Sequence, residues 1–190
     1  MWLVPLRDGI GWPPPSAGER ARAKRLRHEA DRTRYLRSHG ALRMILRKLT
    51  RARLDFAVTE NGKPYLPAEP RLKFNLAHSD EMALVGAAFD VEIGVDVERI
   101  RELVDYGALA ERFFPPSEAA LVNGQPDFFR RWTRLEAELK ATGVGLYGMG
   151  IEPTGEWTIA EIDAGPGYAA AVALPRAGMK VVVHEFGGAE

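Results

Sequence analysis

The 190 residues carry 26 basic and 26 acidic side chains and are 46% hydrophobic, which is enough to bury the core of one large domain or two small ones. The absence of cysteine excludes disulfides, thiolate nucleophiles and thiolate metal sites, and the four histidines, His28, His39, His78 and His184, are too scattered for a histidine-rich metal centre. No run approaches the roughly 20 apolar residues of a membrane span and the opening residues hold no signal-like core, so a cytoplasmic chain with no membrane partner is expected.

Charge is unevenly placed. Between Arg20 and Arg53 the only acids are Glu29 and Asp31, so this segment faces either an anionic partner or solvent. Zero net charge and interleaved leucines argue against a nucleic-acid partner.

After Pro13-Pro14-Pro15, the proline-free stretch from Ser16 to Arg51 predicts one or two helices, with Leu42, Ile45, Leu46 and Leu49 forming an inward stripe. "RLDFAV" alternates as a half-buried strand with Leu54, Phe56 and Val58 on one face, and Asn61-Gly62 in "NGKPYLP" marks a turn. "LKFNLAHS", "MALVGAAF" and "EIGVDVER" read as strands. Helical patterns follow in "ELVDYGALAERFF", in "PPSEAALV" with Ser117 as N-cap, and from Phe128 to Thr142. "EWTIAEI", "YAAAVAL" and "KVVVHEF" close the chain as strands. The order of elements predicts an α+β protein of two halves of similar size, residues 1–100 and 101–190.

Two segments carry candidate chemistry. In "EIGVDVE", Ile93, Val95 and Val97 point one way, so Asp96 and Glu98 share the other face roughly 7 Å apart, next to Gly94, where a ligand can approach the backbone. This is either the polar face of a half-buried strand or a pair of oxygen ligands suited to Mg²⁺. In "WTRLEAELKATGVGL", Glu136 and Lys140 lie one helical turn apart, either as a solvated ion pair or as half of a phosphate-handling site. Glycines 143–148 satisfy G-x-G-x-x-G, but they end a helix where a dinucleotide fingerprint opens one, so Gly143 and Gly145 read as helix terminators.

"NGKPYLP", "FNLAHS", "IGVDVE", "ERFFPPSE" and "RRWTRLEAELKATGVGL", in this order and at these separations, resemble the Sfp-type 4′-phosphopantetheinyl transferases from about Asp31 to about Tyr147. The resemblance implies two similar α/β halves related by a pseudo-twofold, with the active site in the cleft between them. It also implies an Mg²⁺-dependent enzyme, a holo-[acyl-carrier-protein] synthase. Such an enzyme moves the phosphopantetheine arm of coenzyme A to a serine of an apo acyl or peptidyl carrier protein and releases 3′,5′-ADP.

Carried onto this sequence, the family pattern makes Asp96, Glu98 and Glu136 the metal ligands. Glu136 is also the base for the serine, directly or through water, and Lys140 is the cation beside the departing phosphate. His78 and Lys63 fall at phosphate-contacting positions. His28, Arg32 and Arg43 in the basic segment are expected near the 3′-phosphate, and Trp132 is expected to pack near the cleft. Two departures stand out: Leu135 replaces a common lysine before the helix glutamate, and Ala77 occupies a position that is often serine. They leave open a relative that binds coenzyme A or a carrier without catalysing transfer. A monomer is expected, because both halves of the site lie in one chain.

Overall fold

The structure, a computed structural model, describes residues 1–144 and 155–187, and among these are nine strands and five helices in a mixed α/β arrangement. The first sheet has the order β4-β5-β1-β9. Strand β1 (Trp2–Pro5) lies inside it, antiparallel to β5 (Met82–Phe89) and parallel to the short β9 (His184–Glu185), while β4 (Leu72–Ser79) pairs with β5 along its whole length. Helix α2 (Glu29–Leu49) lays Leu42, Ile45 and Leu46 against Leu72, Phe74 and Val85, as its stripe predicts.

Helix α1 (Ala17–Ala23) starts at a capping box. The Ser16 hydroxyl accepts the Glu19 amide, and the Glu19 carboxylate accepts the Ser16 amide. The other oxygen of buried Glu19 is bonded by Arg43 of α2, which fastens α1 to α2.

The second sheet has the order β6-β8-β7, from β6 (Gly94–Arg99), β8 (Tyr168–Leu174) and β7 (Thr158–Glu161), and it carries helix α5 (Gln125–Thr142). The sheets do not divide at residue 100. Strand β6 joins the strands of the C-terminal part, and β9 returns to β1 at the N-terminus.

The sheets meet where β4 and β6 lie side by side, and side chains of β4 take the place of a backbone ladder. Asn75 Oδ1 accepts the Val95 amide at 2.9 Å, and Ser79 Oγ accepts the Arg99 amide at 3.1 Å. The sequence offset is the same in both bonds, so the two strands run in the same direction.

Several elements differ from the sequence expectation. Strand β1 is not legible in the sequence, because three residues closed by a proline carry no usable period. The "RLDFAV" strand shrinks to β2 (Ala57–Val58), which pairs only with β3 (Pro64–Tyr65) around the Asn61-Gly62 turn, leaving Leu54 and Phe56 outside it. Helix α3 spans only Tyr106–Phe113. Helix α4 (Pro116–Ala119) is capped by Pro115, with Ser117 inside the turn, since proline is favoured in the first helical turn. Helix α5 starts at Gln125, three residues earlier than expected, again with a proline in its first turn.

Gly94 is no opening for a ligand. A Cβ there would collide with the backbone carbonyl of Ala137 and the amide of Ala141, because α5 lies directly on β6 at this point. Neither obstacle can rotate away. Gly94→Ala is therefore expected to destabilise the protein by about 3 kcal/mol or more, or to prevent folding, as read from the denaturant midpoint.

Candidate active site

Helix α5 can lie that close because both surfaces are cut down to small residues. Ala137 and Ala141 pack against Ala171 and Ala173 of β8. One turn of α5 then faces Asp96 across a short gap. Lys140 Nζ donates to Asp96 Oδ1 at 2.6 Å, and Glu136 Oε2 stands 3.9 Å from the same ammonium. The strand and helix that the sequence pairs in one site do face each other.

Asp96 is only 5% exposed, and its second oxygen, Oδ2, is buried with no hydrogen-bond partner among the described residues. Burial pushes its pKa up to about 6; Lys140 opposes the rise, and the neighbouring charges of Glu98 and Glu136 add to it. Glu98 is turned toward other partners: its Oε2 accepts Ser79 Oγ–H at 2.8 Å and the Arg101 guanidinium at 3.0 Å. Among the described residues, no three His, Asp or Glu side chains are gathered as a metal-holding group. The three carboxylates are instead paired with Lys140 and Arg101.

Beside this cluster a cavity of about 570 Å³ opens between α1, α2 and β4, with Lys140 in its wall. His78, at the end of β4, stands at its open rim. The surrounding protein still lowers its pKa by desolvation, and positive charge at His39 and Lys140 lowers it further. His39 lines the same cavity, with its ring 4.0 Å from that of Tyr35 and its Nδ1 within 3.0 Å of the Tyr35 carbonyl; burial lowers its pKa as well. Sequence reading passed over Arg22, Tyr35 and His39 as cavity residues, although Tyr35 and His39 are one turn apart on α2 and that spacing was available as a signal. It also passed over Ser79 and Arg101, whose role depends on chain crossings that no local pattern reports.

Four expected ligand contacts lie elsewhere. Lys63 does not line this cavity; its ammonium bonds Glu92 Oε2 at 2.7 Å and the Ala141 carbonyl at 2.8 Å, holding the end of α5 where carbonyls lack partners. It has little freedom for a phosphate. Arg43 is buried on Glu19 and on the Pro14 carbonyl at 3.1 Å, because the proline turn needs donors it cannot supply itself. Arg32 bonds the Leu26 carbonyl at 2.9 Å, and exposed His28 is the N-cap residue of α2 without a side-chain cap bond. Trp132 packs in the apolar layer of α3 to α5, stacked on Phe128 and edge-on to Phe113, and it does not line the cavity. Gly143 ends α5 with φ 73°, while Gly145 to Gly148 lie outside the described residues.

Residues 92–180 match the model of the 4′-phosphopantetheinyl transferase superfamily. Over 143 residues the chain is 40% identical to the 4′-phosphopantetheinyl transferase HetI of Nostoc sp., covering 69% of this chain and 60% of the relative. It is 36% identical to the 4′-phosphopantetheinyl transferase psf-1 of Bacillus pumilus, over 69% of this chain and 59% of the relative. It is 30% identical to the 4′-phosphopantetheinyl transferase Sfp of Bacillus subtilis (strain 168), over 69% of this chain and 61% of the relative. The resemblance seen in the motifs is thus present across most of the chain, which spans about 60% of the length of these relatives.

The unfolded chain releases the Asp96 proton near 3.8 and the folded chain holds it to about 6, so Asp96 makes stability fall as pH rises between those values. At 1.36 kcal/mol per unit the loss is about 3 kcal/mol. Asp96→Asn removes the titration and keeps a hydrogen-bond acceptor for Lys140. Relative to this variant, the wild type should lose about 2 kcal/mol of stability between pH 4 and pH 7 in denaturant titrations without added metal. Parallel pH profiles would refute the buried, perturbed carboxyl.

Proposed function

We propose that this chain transfers the 4′-phosphopantetheine arm of coenzyme A to a serine hydroxyl of an apo acyl or peptidyl carrier protein, releasing 3′,5′-ADP. One observation carries the reading: Asp96, Glu136 and Lys140 converge from β6 and α5, and Lys140 also lines the cavity that His78 borders. The three named relatives are each 4′-phosphopantetheinyl transferases, which supports it. In this reading the family's two halves are helix α2 on the first sheet and helix α5 on the second, with β6 in the second half and β9 in the first, and the cavity that Lys140 of α5 lines beside α1, α2 and β4 is the cleft. The protein acts as a monomer in the cytoplasm, without a nucleic-acid or membrane partner. Among the described residues, no helix is long and apolar enough to cross a membrane.

The donor set fits Mg²⁺, because all three candidate ligands are carboxylates and buried Asp96 Oδ2 lacks any partner. Asp96, Glu98 and Glu136 would hold the ion, which when bound supplies positive charge to the carboxylates and to the diphosphate of coenzyme A.

The residues of the chain then divide the work. Glu136 accepts the proton of the carrier serine, directly or through water. The serine oxygen bonds to the phosphorus that carries pantetheine as the bond from that phosphorus to the oxygen of the departing 3′,5′-ADP breaks. Lys140 donates to that departing phosphate, whose negative charge grows in the transition state. His78 at the rim donates to a phosphate oxygen once the nucleotide is seated. Leu135 contributes no charge where relatives of this type commonly have lysine, so affinity for coenzyme A rests more heavily on these groups.

The test is a panel of apo acyl and peptidyl carriers incubated with coenzyme A, Mg²⁺ and the protein, with carrier mass read directly. A gain of one phosphopantetheine arm is expected on at least one carrier. No gain on any carrier, with coenzyme A still bound, would leave a non-catalytic relative. Glu136→Gln should lower kcat by about a hundredfold or more, the size of a lost general base, while KM for the carrier moves little.

A further inference from the structure

The carboxylate cluster already contains cations of its own, and they occupy one oxygen each of Asp96 and Glu98. Lys140 is bonded to Asp96 Oδ1 and lies 3.9 Å from Glu136, while Arg101 and Ser79 hold Glu98 Oε2. Among the described residues, Asp96 Oδ2 is the buried oxygen of the cluster that is left without a partner. The same ammonium lines the cavity that His78 borders. Lysine suits a dual position of this kind: its charge sits on a flexible four-carbon stem, and it binds as a point charge with no fixed fork.

From this we infer that Lys140 is an internal counter-ion that stands in for the divalent cation in the empty protein and competes with it for Asp96. When a divalent cation takes that place, Lys140 leaves Asp96 and turns into the cavity toward the phosphates. The inference rests on the reading of Asp96 and Glu136 as cation ligands and adds an order of events. Unpaired, the cluster would hold three negative charges at short range, and with Lys140 in place the helix and strand can close on each other before any ligand arrives. The ammonium that later meets the leaving phosphate is thus delivered by entry of the metal. Lys140 therefore weakens binding of the cation alone, although it serves the reaction once coenzyme A is present.

The probe is Mn²⁺ alone, without coenzyme A, titrated into wild type, Lys140→Met, Lys140→Gln, Lys140→Arg and Asp96→Asn, with free Mn²⁺ read by its paramagnetic resonance signal. Each variant is first checked for a cooperative melting transition. Lys140 is partly exposed, and the glutamine variant keeps a polar tip should methionine disturb the helix. Removing the charge should tighten Mn²⁺ binding by about tenfold or more, the direction set by deleting a like charge a few ångströms from the ion, while Lys140→Arg should bind much as wild type does. Unchanged or weaker binding in both neutral variants would overturn the inference and leave the cation site standing. Asp96→Asn should bind Mn²⁺ much more weakly than wild type. Equal binding there would remove the cation site itself, and with it the reading on which the inference rests.

Discussion

The distance between α5 and β6 governs the candidate site. Gly94 on the strand and Ala137 and Ala141 on the helix, backed by Ala171 and Ala173 on β8, let two backbones meet where ordinary side chains would hold them apart. Without that closeness the 2.6 Å bond between Lys140 and Asp96 could not form, and Asp96 would lie in water as an unremarkable strand carboxylate. Small residues here have a chemical consequence. They trade away the apolar area that larger side chains would bury and gain a carboxyl whose environment raises its pKa to about 6.

Keeping such a group costs stability in the empty protein. A buried carboxylate with one salt bridge and one unpartnered oxygen is a poor structural device, since an apolar pair of similar size would serve the core as well or better. The surroundings do not relieve it. Glu98 is occupied by Ser79 and Arg101, Glu136 adds like charge, and the only cation on Asp96 is a lysine that also belongs to the cavity. A perturbed, partly unpartnered carboxyl of this kind beside a cavity is the arrangement that marks a candidate functional site. The rest of the molecule compensates through two well-filled apolar layers, one under α2 and one between the sheets.

How much of this the sequence disclosed depends on the range over which each feature is determined. Strands β4 and β5 and the inward stripe of α2 were readable because period and composition are local, and the Asp96–Glu98 and Glu136–Lys140 pairs because spacing alone puts each on one face. Strand β1 was not readable. Its four residues acquire strand structure from β5 and β9, which stand 77 or more residues away in the pairing register. Burial of Asp96 was also hidden, since a polar residue on an alternating strand reads as solvent-facing unless the partner helix is known. Lys63 and Arg43 illustrate the converse: a basic residue in a turn or a basic helix reads as a free charge, yet each is bound by a backbone end, the carbonyls of α5 for one and of the proline turn for the other.

Side chains rather than a continuous backbone ladder make the junction between the sheets. Here Asn75 and Ser79 reach across in place of peptide groups, so the strands stay parallel and fixed at two points. Each of these side chains has a second consequence at the site. Asn75 lines the cavity itself, and the hydroxyl of Ser79 orients Glu98 while it ties down β6. The residues that join the layers therefore also shape the cavity wall and the carboxylate cluster, so neither can shift without loosening the join between the sheets.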